Sequence, residues 1–230
     1  MNKYKLSIII PVFNEEKYII KCLSYLNKIK KKGSEIIIVN DGSIDQTDNL
    51  LIENKHLYDT YISYEKNKGK GFAFREGLKK ANGDITIIQD GDLEYDSNDI
   101  YKIYNYMKKN ELDVVYGSRL MNLQKNDFIS KKRIFFNIAL TKFSNFVNNQ
   151  NLTDAHTCYK AAKTYIFKKI NLNSKGFELC VEINTKLSLN NIRITEIPIH
   201  FKGRNVNQGK KIKFSDGLKA IYKILKIKFG

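Results

Sequence analysis

The stretch EIIIVNDGS, Glu35–Ser43, decides how the chain is read. Ile36, Ile37, Ile38 and Val39 form a short, unbroken apolar run, which marks a buried strand rather than a solvated one. The run stops at Asn40-Asp41-Gly42-Ser43, a cluster of turn-forming polar residues. The same grammar recurs on both sides of it. Leu6–Val12 is an apolar run that opens into Pro11-Val12-Phe13-Asn14. Asp84–Gln89 ends in Gln89-Asp90-Gly91-Asp92, and Leu112–Tyr116 ends in Gly117-Ser118-Arg119. Tyr58–Tyr64 reads as a weaker strand.

Helical spacing fills the intervals. Ile19, Leu23, Leu26 and Ile29 share one face, and short helices are expected over Asp45–Asn54 and Gly71–Ala81. Ser97 is the expected N-cap of a helix to about Lys109, with Ile100, Ile103, Tyr104 and Met107 on its inner face. Strands alternating with helices predict an α/β layer structure with a mainly parallel sheet. Ligands of such sheets sit beyond the carboxyl ends of the strands. If the strands are parallel neighbours, the four polar clusters meet at one rim. Beyond Arg119 the pattern changes. Helices are expected over Asp127–Asn149 and Leu179–Leu189, and an edge strand over Arg193–Phe201 around Pro198. An amphipathic helix is expected over Phe214–Phe229.

The 230 residues carry 40 Lys+Arg against 24 Asp+Glu, a formal charge of +16. That excess suggests an anionic partner: nucleic acid, an anionic membrane surface or a phosphorylated substrate. A solvated lysine surface is the plainer alternative. No recognisable nucleic-acid motif is present, which argues against nucleic acid. Cys22, Cys158 and Cys180 lack metal-ligand spacing and predict a reduced, cytoplasmic chain. No run of 18 apolar residues exists to span a membrane, and the N-terminal apolar stretch is too short for a signal peptide.

Against the basic background, IIQDGDLEYDSND crowds Asp90, Asp92, Glu94, Asp96 and Asp99 together. Asp90 and Asp92 are two apart at a strand end, so both carboxylates fall on one side. Like charges so placed raise each other's pKa unless a cation intervenes. A hard divalent ion, Mg2+ or Mn2+, is the natural partner, and a solvated loop capping the next helix is the alternative. A calcium EF-hand loop is excluded, because Tyr95 and Tyr101 stand where it needs Gly and Glu. Asn67-Lys68-Gly69-Lys70-Gly71 precedes a helix and reads either as a phosphate cradle or as a plain turn. Arg204, Gly209, Lys210 and Lys211 form a basic loop able to clamp a diphosphate, or merely solvated. His56, His156 and His200 are scattered, and packing roles are expected for them.

In order along the chain, IIIPVFNEEKYI, IIIVNDGSIDQT, NKGKGFAFREGLKKANGD, IIQDGDLEYDSNDI and VVYGSRL resemble the successive motifs of inverting family-2 glycosyltransferases with the GT-A fold. FFNIALTKFSNFVNNQNLTDAHTCYK, GFELCVEINTKL, ITEIPIHFKGR and QGKKIKFSDGLKAI resemble the polyprenyl-phosphate sugar synthases, the branch similar to dolichol-phosphate mannose synthase. The likeness covers nearly the whole chain. It implies one domain over 1–230, with 1–120 as the nucleotide-sugar half and 121–230 as the acceptor half. It implies a GDP- or UDP-hexose donor and a divalent metal. Pro11, Phe13, Glu15 and Asp41 would line the nucleoside pocket, and Lys70 and Gly91 would lie against the nucleotide sugar. Asp90, Asp92 and Glu94 would serve the metal, with Asp92 as the direct contact. Arg119 would face the phosphates or the acceptor, and Arg204 and Lys210 would fold over the donor.

Departures fall on the acceptor side. Ala155-His156 stands where related sequences often read Met-Glu, and Cys180-Val181 replaces Glu-Pro before Glu182. Phe13 stands where Tyr is frequent. A lipid-phosphate acceptor is already anionic and needs no strong base; Arg119 and Arg133 would position it. A sugar hydroxyl needs a base, for which Asp154 and Glu182 are the candidates. The implied function is hexose transfer to a polyprenyl phosphate. The alternatives are transfer to a glycan hydroxyl in cell-surface polysaccharide synthesis and a non-catalytic nucleotide-sugar-binding module. The intact D-x-D argues against the last. The C-terminal helix, with Leu218, Ile221 and Leu225 set apart from Lys219, Lys223 and Lys226, fits either a core-packed helix or one lying peripherally on the cytoplasmic membrane face.

Overall fold

The computed structural model describes residues 5–30, 33–123, 130–204 and 214–230. Its strands are β1 (Leu6–Val12), β2 (Ser34–Asp41), β3 (Thr60–Tyr64), β4 (Ile85–Ile88), β5 (Val114–Ser118), β6 (Lys160–Lys163) and β7 (Thr195–Pro198). They form one seven-stranded sheet in the order β3-β2-β1-β4-β6-β5-β7. Every neighbouring pair is parallel except the two made by β6, which runs against both β4 and β5. The expected mainly parallel α/β architecture is therefore what the chain adopts.

The helices are α1 (Ile19–Lys30), α2 (Thr47–Glu53), α3 (Lys70–Lys80), α4 (Asn98–Lys109), α5 (Lys131–Asn148), α6 (Thr164–Lys169), α7 (Leu179–Leu189) and α8 (Phe214–Phe229). β1, β2 and β4 are buried on both faces, which is why they carry unbroken isoleucine runs. On one face, α3 lies close against β1 and β2 through Gly77. A methyl group there would sit 2.5 Å from Ile9 Cγ2. The edge strand expected around Pro198 is β7, with the proline at its last residue.

Two expectations need correction. The polar cluster after β5 does not adjoin that after β4, because β6 is inserted between them. It arrives from residue 160, well after the strands it separates. Nor does the Ser97 side chain cap α4. The Asp96 carboxylate does this instead, accepting the Asn98 N–H at 2.9 Å. Asp99 turns the other way and accepts the His200 N–H at 2.6 Å, fastening the chain beyond β7 to α4.

α8 buries Ala220 and Ile224 against Val181 of α7, with Phe143 and Val147 of α5 packed alongside. Its opposite side leaves Leu218, Tyr222 and Phe229 exposed, and Phe135 and Phe146 of α5 are exposed as well. No helix among the described residues is long and apolar enough to cross a membrane.

Candidate active site

Three parallel strands deliver their last residues to one wall of a cavity of about 1180 Å³. Pro11 and Phe13 come from β1 and the loop after it, Asp41 from the end of β2, and Asp90, Gly91 and Asp92 from the loop after β4. Asp41 organises the stretch before α3. Its two carboxylate oxygens accept the Lys68 N–H at 2.9 Å and the Gly69 N–H at 2.6 Å. Burial pushes the Asp41 carboxyl above its ordinary pKa, and those amide bonds oppose the shift. Gly69 has φ +99°, and a Cβ there would come within 2.3 Å of the Lys175 carbonyl oxygen, so only glycine fits. α3 then begins at Lys70, whose ammonium points back to the acidic loop.

Lys70 pairs with Asp90 and lies 3.3 Å from Cys158 Sγ. Burial opposes the lysine's charge, but Asp90 and the neighbouring thiols outweigh it, so Lys70 is raised well above its usual pKa. Asp90 is held below the carboxylate range: burial raises it, and Lys70 more than offsets that. Asp92 behaves differently. Burial first, then the charges of Asp90 and Glu94, push it up to about 7 despite Arg204 beside it. Gly91 sits between the two, where a methyl would meet Ile19 Cδ1 at 3.2 Å.

Arg204 ties three parts of the sequence together. Its Nη2 lies 2.6 Å from Asp92 Oδ2 and its Nη1 2.9 Å from Glu15 Oε2. Its backbone N–H donates to Glu94 Oε1 at 2.6 Å, and its guanidinium stacks 5.0 Å from the Tyr18 ring centroid. The acidic and basic motifs are thus brought face to face. Glu15 and Glu94 meet Arg204, whereas the resemblance assigned them to nucleoside and metal. Lys210 lies outside the described residues.

Among the described residues, no three His, Cys, Asp or Glu side chains converge as a ready-made metal centre. Asp90 and Asp92 nevertheless fit a hard divalent ion that takes its remaining ligands from phosphate. They supply oxygen donors from one short loop, and burial together with the charges of Asp90 and Glu94 holds the Asp92 carboxyl up, a strain that a cation there would relieve.

The opposite wall comes from the second half of the chain. Arg119 is clamped by Asp154 through Nε–Oδ2 at 2.7 Å and Nη2–Oδ1 at 2.8 Å, and it stacks 5.1 Å from the Phe201 ring centroid. Asn137 of α5 also donates to Asp154 at 3.3 Å. Burial would raise the Asp154 carboxyl, but Arg119 holds it below the ordinary range. Glu182 accepts the backbone N–H groups of Asn173 (2.9 Å) and Ser174 (2.7 Å) and pairs with Lys186 at 2.9 Å. It too is lowered against the effect of burial. Neither carboxylate lines the cavity. Both carboxylates, expected as general bases for a hydroxyl acceptor, are thus engaged by partners away from the cavity lining.

Lys131, Lys132 and Arg133 at the start of α5 do line the cavity, followed by Phe135, Phe136 and Leu140. A basic triplet opening an apolar helix was a readable signal of which only Arg133 was singled out. His156 and Cys158 also reach the cavity, and no local pattern marks them.

The family model described as Glycosyl transferase family 2 matches residues 7–171. The chain belongs to that family. This family-2 glycosyltransferase is 29% identical over 244 residues to the UDP-N-acetylglucosamine–dolichyl-phosphate N-acetylglucosaminyltransferase of Methanococcus voltae, covering 97% of this chain and 96% of that one. It is 29% identical over 236 residues to the dolichol-phosphate mannosyltransferase of Pyrococcus furiosus, covering 96% of this chain and 64% of that protein. It spans about half the length of other curated relatives that it matches. Its fold is that of the glucosyl-3-phosphoglycerate synthase of Mycobacterium tuberculosis, solved with Mn2+, uridine diphosphate and glucosyl-3-phosphoglycerate. The TM-score is 0.71 at 17% identity, over 98% of this chain and 80% of that one. The GT-A architecture implied by the motifs is thereby shown for this glycosyltransferase.

Proposed function

We propose that the glycosyltransferase moves a hexose from a nucleoside-diphosphate sugar, with UDP as the nucleotide, to a polyprenyl phosphate. The observation that carries this reading is the state of the carboxylates. A hydroxyl acceptor needs a base, and the two candidates are ill suited to it. Arg119 holds Asp154, and backbone amides with Lys186 hold Glu182. Both carboxyls lie below the ordinary range and so are weak bases, and neither lines the cavity. A phosphate monoester brings its own anionic oxygen. The cavity offers that acceptor Lys131, Lys132 and Arg133 for the headgroup and Phe135, Phe136 and Leu140 for the first isoprene units. The M. voltae relative, which by its name uses a UDP sugar and dolichyl phosphate, supports both halves.

The base and ribose lie against Pro11, Phe13 and Asp41. Asp90 and Asp92 would hold Mg2+ or Mn2+, which when bound neutralises diphosphate charge. Lys70 adds a fixed cation beside them, and Arg204 is placed to follow the diphosphate as its charge develops. The acceptor phosphate oxygen forms a bond to the anomeric carbon from the face opposite the nucleotide. The bond from that carbon to the diphosphate oxygen breaks, and its electron pair leaves with the nucleoside diphosphate. Arg119, held by Asp154, presents its guanidinium edge towards the acceptor. The exposed aromatics of α5 and α8, with Lys219, Lys226 and Lys228 around them, suit a membrane surface from which a lipid acceptor would be drawn.

The test is incubation with UDP- and GDP-sugars, MnCl2 and undecaprenyl or dolichyl phosphate. The sugar label is expected in the organic phase with a UDP sugar, and D92A is expected to abolish it. Label appearing only on a water-soluble glycan would refute the acceptor assignment. Flotation with liposomes containing anionic lipid, lost at high salt, would support the membrane face.

A further inference from the structure

His156 stands in the segment that leads from α5 into β6, two residues after the Asp154 that clamps Arg119. It lines the cavity, yet its Nε2 is shielded from solvent and has no hydrogen-bond partner among the described residues. Buried polar atoms are almost always paired, and an orphan is costly. Thr157 Oγ1 donates to the Gly117 carbonyl at 2.6 Å, and the Cys158 N–H donates to the Tyr95 hydroxyl at 2.9 Å. The chain just after His156 is therefore held both to β5 and to the loop between β4 and α4. Burial pushes the imidazole pKa down to about 4, so the ring is neutral at physiological pH. A neutral ring can carry its proton on Nε2 and donate it without adding charge.

The neighbourhood identifies what would accept that bond. Asn137 bonds Asp154 and lies four residues after Arg133 on α5, so the two share a helix face. Arg119, Arg133 and His156 therefore belong to one wall, the one assigned above to the acceptor's headgroup. We propose that His156 Nε2 donates a hydrogen bond to a phosphate oxygen of the acceptor, so that the residue positions the nucleophile and helps select a phosphate over a hydroxyl. This inference rests on the proposed lipid-phosphate acceptor. The role is one of positioning: the ring neither gains nor loses a proton in the transfer.

Calorimetric titration of wild type, H156F, H156Q and H156N with farnesyl phosphate, and separately with UDP plus MnCl2, tests it. A glutamine amide nitrogen reaches roughly the place of imidazole Nε2, whereas an asparagine amide matches Nδ1. H156F and H156N are expected to bind farnesyl phosphate roughly tenfold more weakly, about the worth of one hydrogen bond to a charged group. H156Q is expected to stay near wild type, and UDP binding to be unchanged in all four. In turnover assays the acceptor KM is expected to rise with kcat little altered. Unchanged farnesyl phosphate binding in H156F overturns the inference, as does weakened UDP binding with the acceptor unaffected. If H156F does not fold, the contrast between H156Q and H156N decides by itself. Failure of wild type to bind farnesyl phosphate would instead refute the acceptor assignment and this inference with it.

Discussion

Arg204 Nη2 lies 2.6 Å from Asp92 Oδ2, so the carboxylate expected to meet a divalent cation is already paired with a cation from the chain. The two residues are 112 positions apart, and the same guanidinium reaches Glu15 across 189. Arg204 therefore joins the loops after β1 and β4 to the chain beyond β7.

Replacing it exposes the repulsion it contains. R204A takes the guanidinium away from the buried carboxylates of Asp92 and Glu15, a loss of about 3–5 kcal/mol when a buried pair is broken. Thermal melts are expected to show a lower Tm for R204A. MnCl2 should raise that Tm by more than it raises the wild-type value, because the freed carboxylates have a larger need for a countercharge. Equal shifts in both proteins would mean that Arg204 does not compete with metal at Asp92.

Arg119 and Asp154 form the other fixed pair. Two parallel bonds demand the planar fork of a guanidinium, which lysine lacks. R119K is expected to raise the acceptor KM with little change for the nucleotide sugar. D154A removes both carboxylate bonds from a buried arginine and is expected to cost about 3–5 kcal/mol in urea unfolding.

Glu182 separates a structural from a chemical role. Its oxygens hold the backbone of Asn173 and Ser174, next to the Lys175 whose carbonyl oxygen abuts Gly69. E182Q keeps the shape and loses the charge facing Lys186 and Lys223. Stability is expected to fall by about 1–3 kcal/mol, while the pH profile of kcat keeps its form. Loss of the acid-side limb from that profile in E182Q would restore the general-base role.

Lys160 gives the pH dependence its sign. It is fully buried in β6 with its ammonium 3.7 Å from the Tyr116 ring centroid, donating to the Ala155 carbonyl (3.0 Å) and Asn184 Oδ1 (3.1 Å). Burial pulls its pKa down to about 8, against the opposing pull of Cys180, Asp154, Glu196 and Cys158. Between pH 8 and the ordinary lysine value the unfolded chain holds a proton that the folded chain has released. Stability from this group therefore rises with pH through that window, by at most on the order of 3 kcal/mol. Urea unfolding of wild type and K160M at pH 7.5 and at pH 10 checks this. The gap between the two proteins should move in favour of wild type at the higher pH.

Lys160 also shows why β6 was not foreseen. Lys-Ala-Ala-Lys presents neither an apolar run nor an alternation, and its lysine is tolerated only because Tyr116, Ala155 and Asn184 surround it. β1, β2 and β4 were legible because burial on both faces forces a local signature. So were α7 and α8, whose observed limits match the expected ones. The acidic and glycine-bearing loops were legible as strand-end loops, and they do meet at one cavity. That Glu15 and Glu94 would grip Arg204, and that Asp154 would clamp Arg119, depends on contacts between distant segments. Side-chain type alone marked them for the site, and their partners came from segments far away in the sequence.

The direction of β6 has a consequence for how such enzymes diversify. Lys160 stands opposite Tyr116, and Ala161 opposite Ile87, so β6, running against β4 and β5, starts near where they finish. Residues 154–159 therefore enter the rim from outside while the loops after β1, β2 and β4 leave it. Traffic in opposite directions brings two independent stretches of gene to one chemical centre. On the proposed assignment, the incoming stretch could change with the acceptor while the outgoing loops went on serving the donor, two halves of one site varying separately.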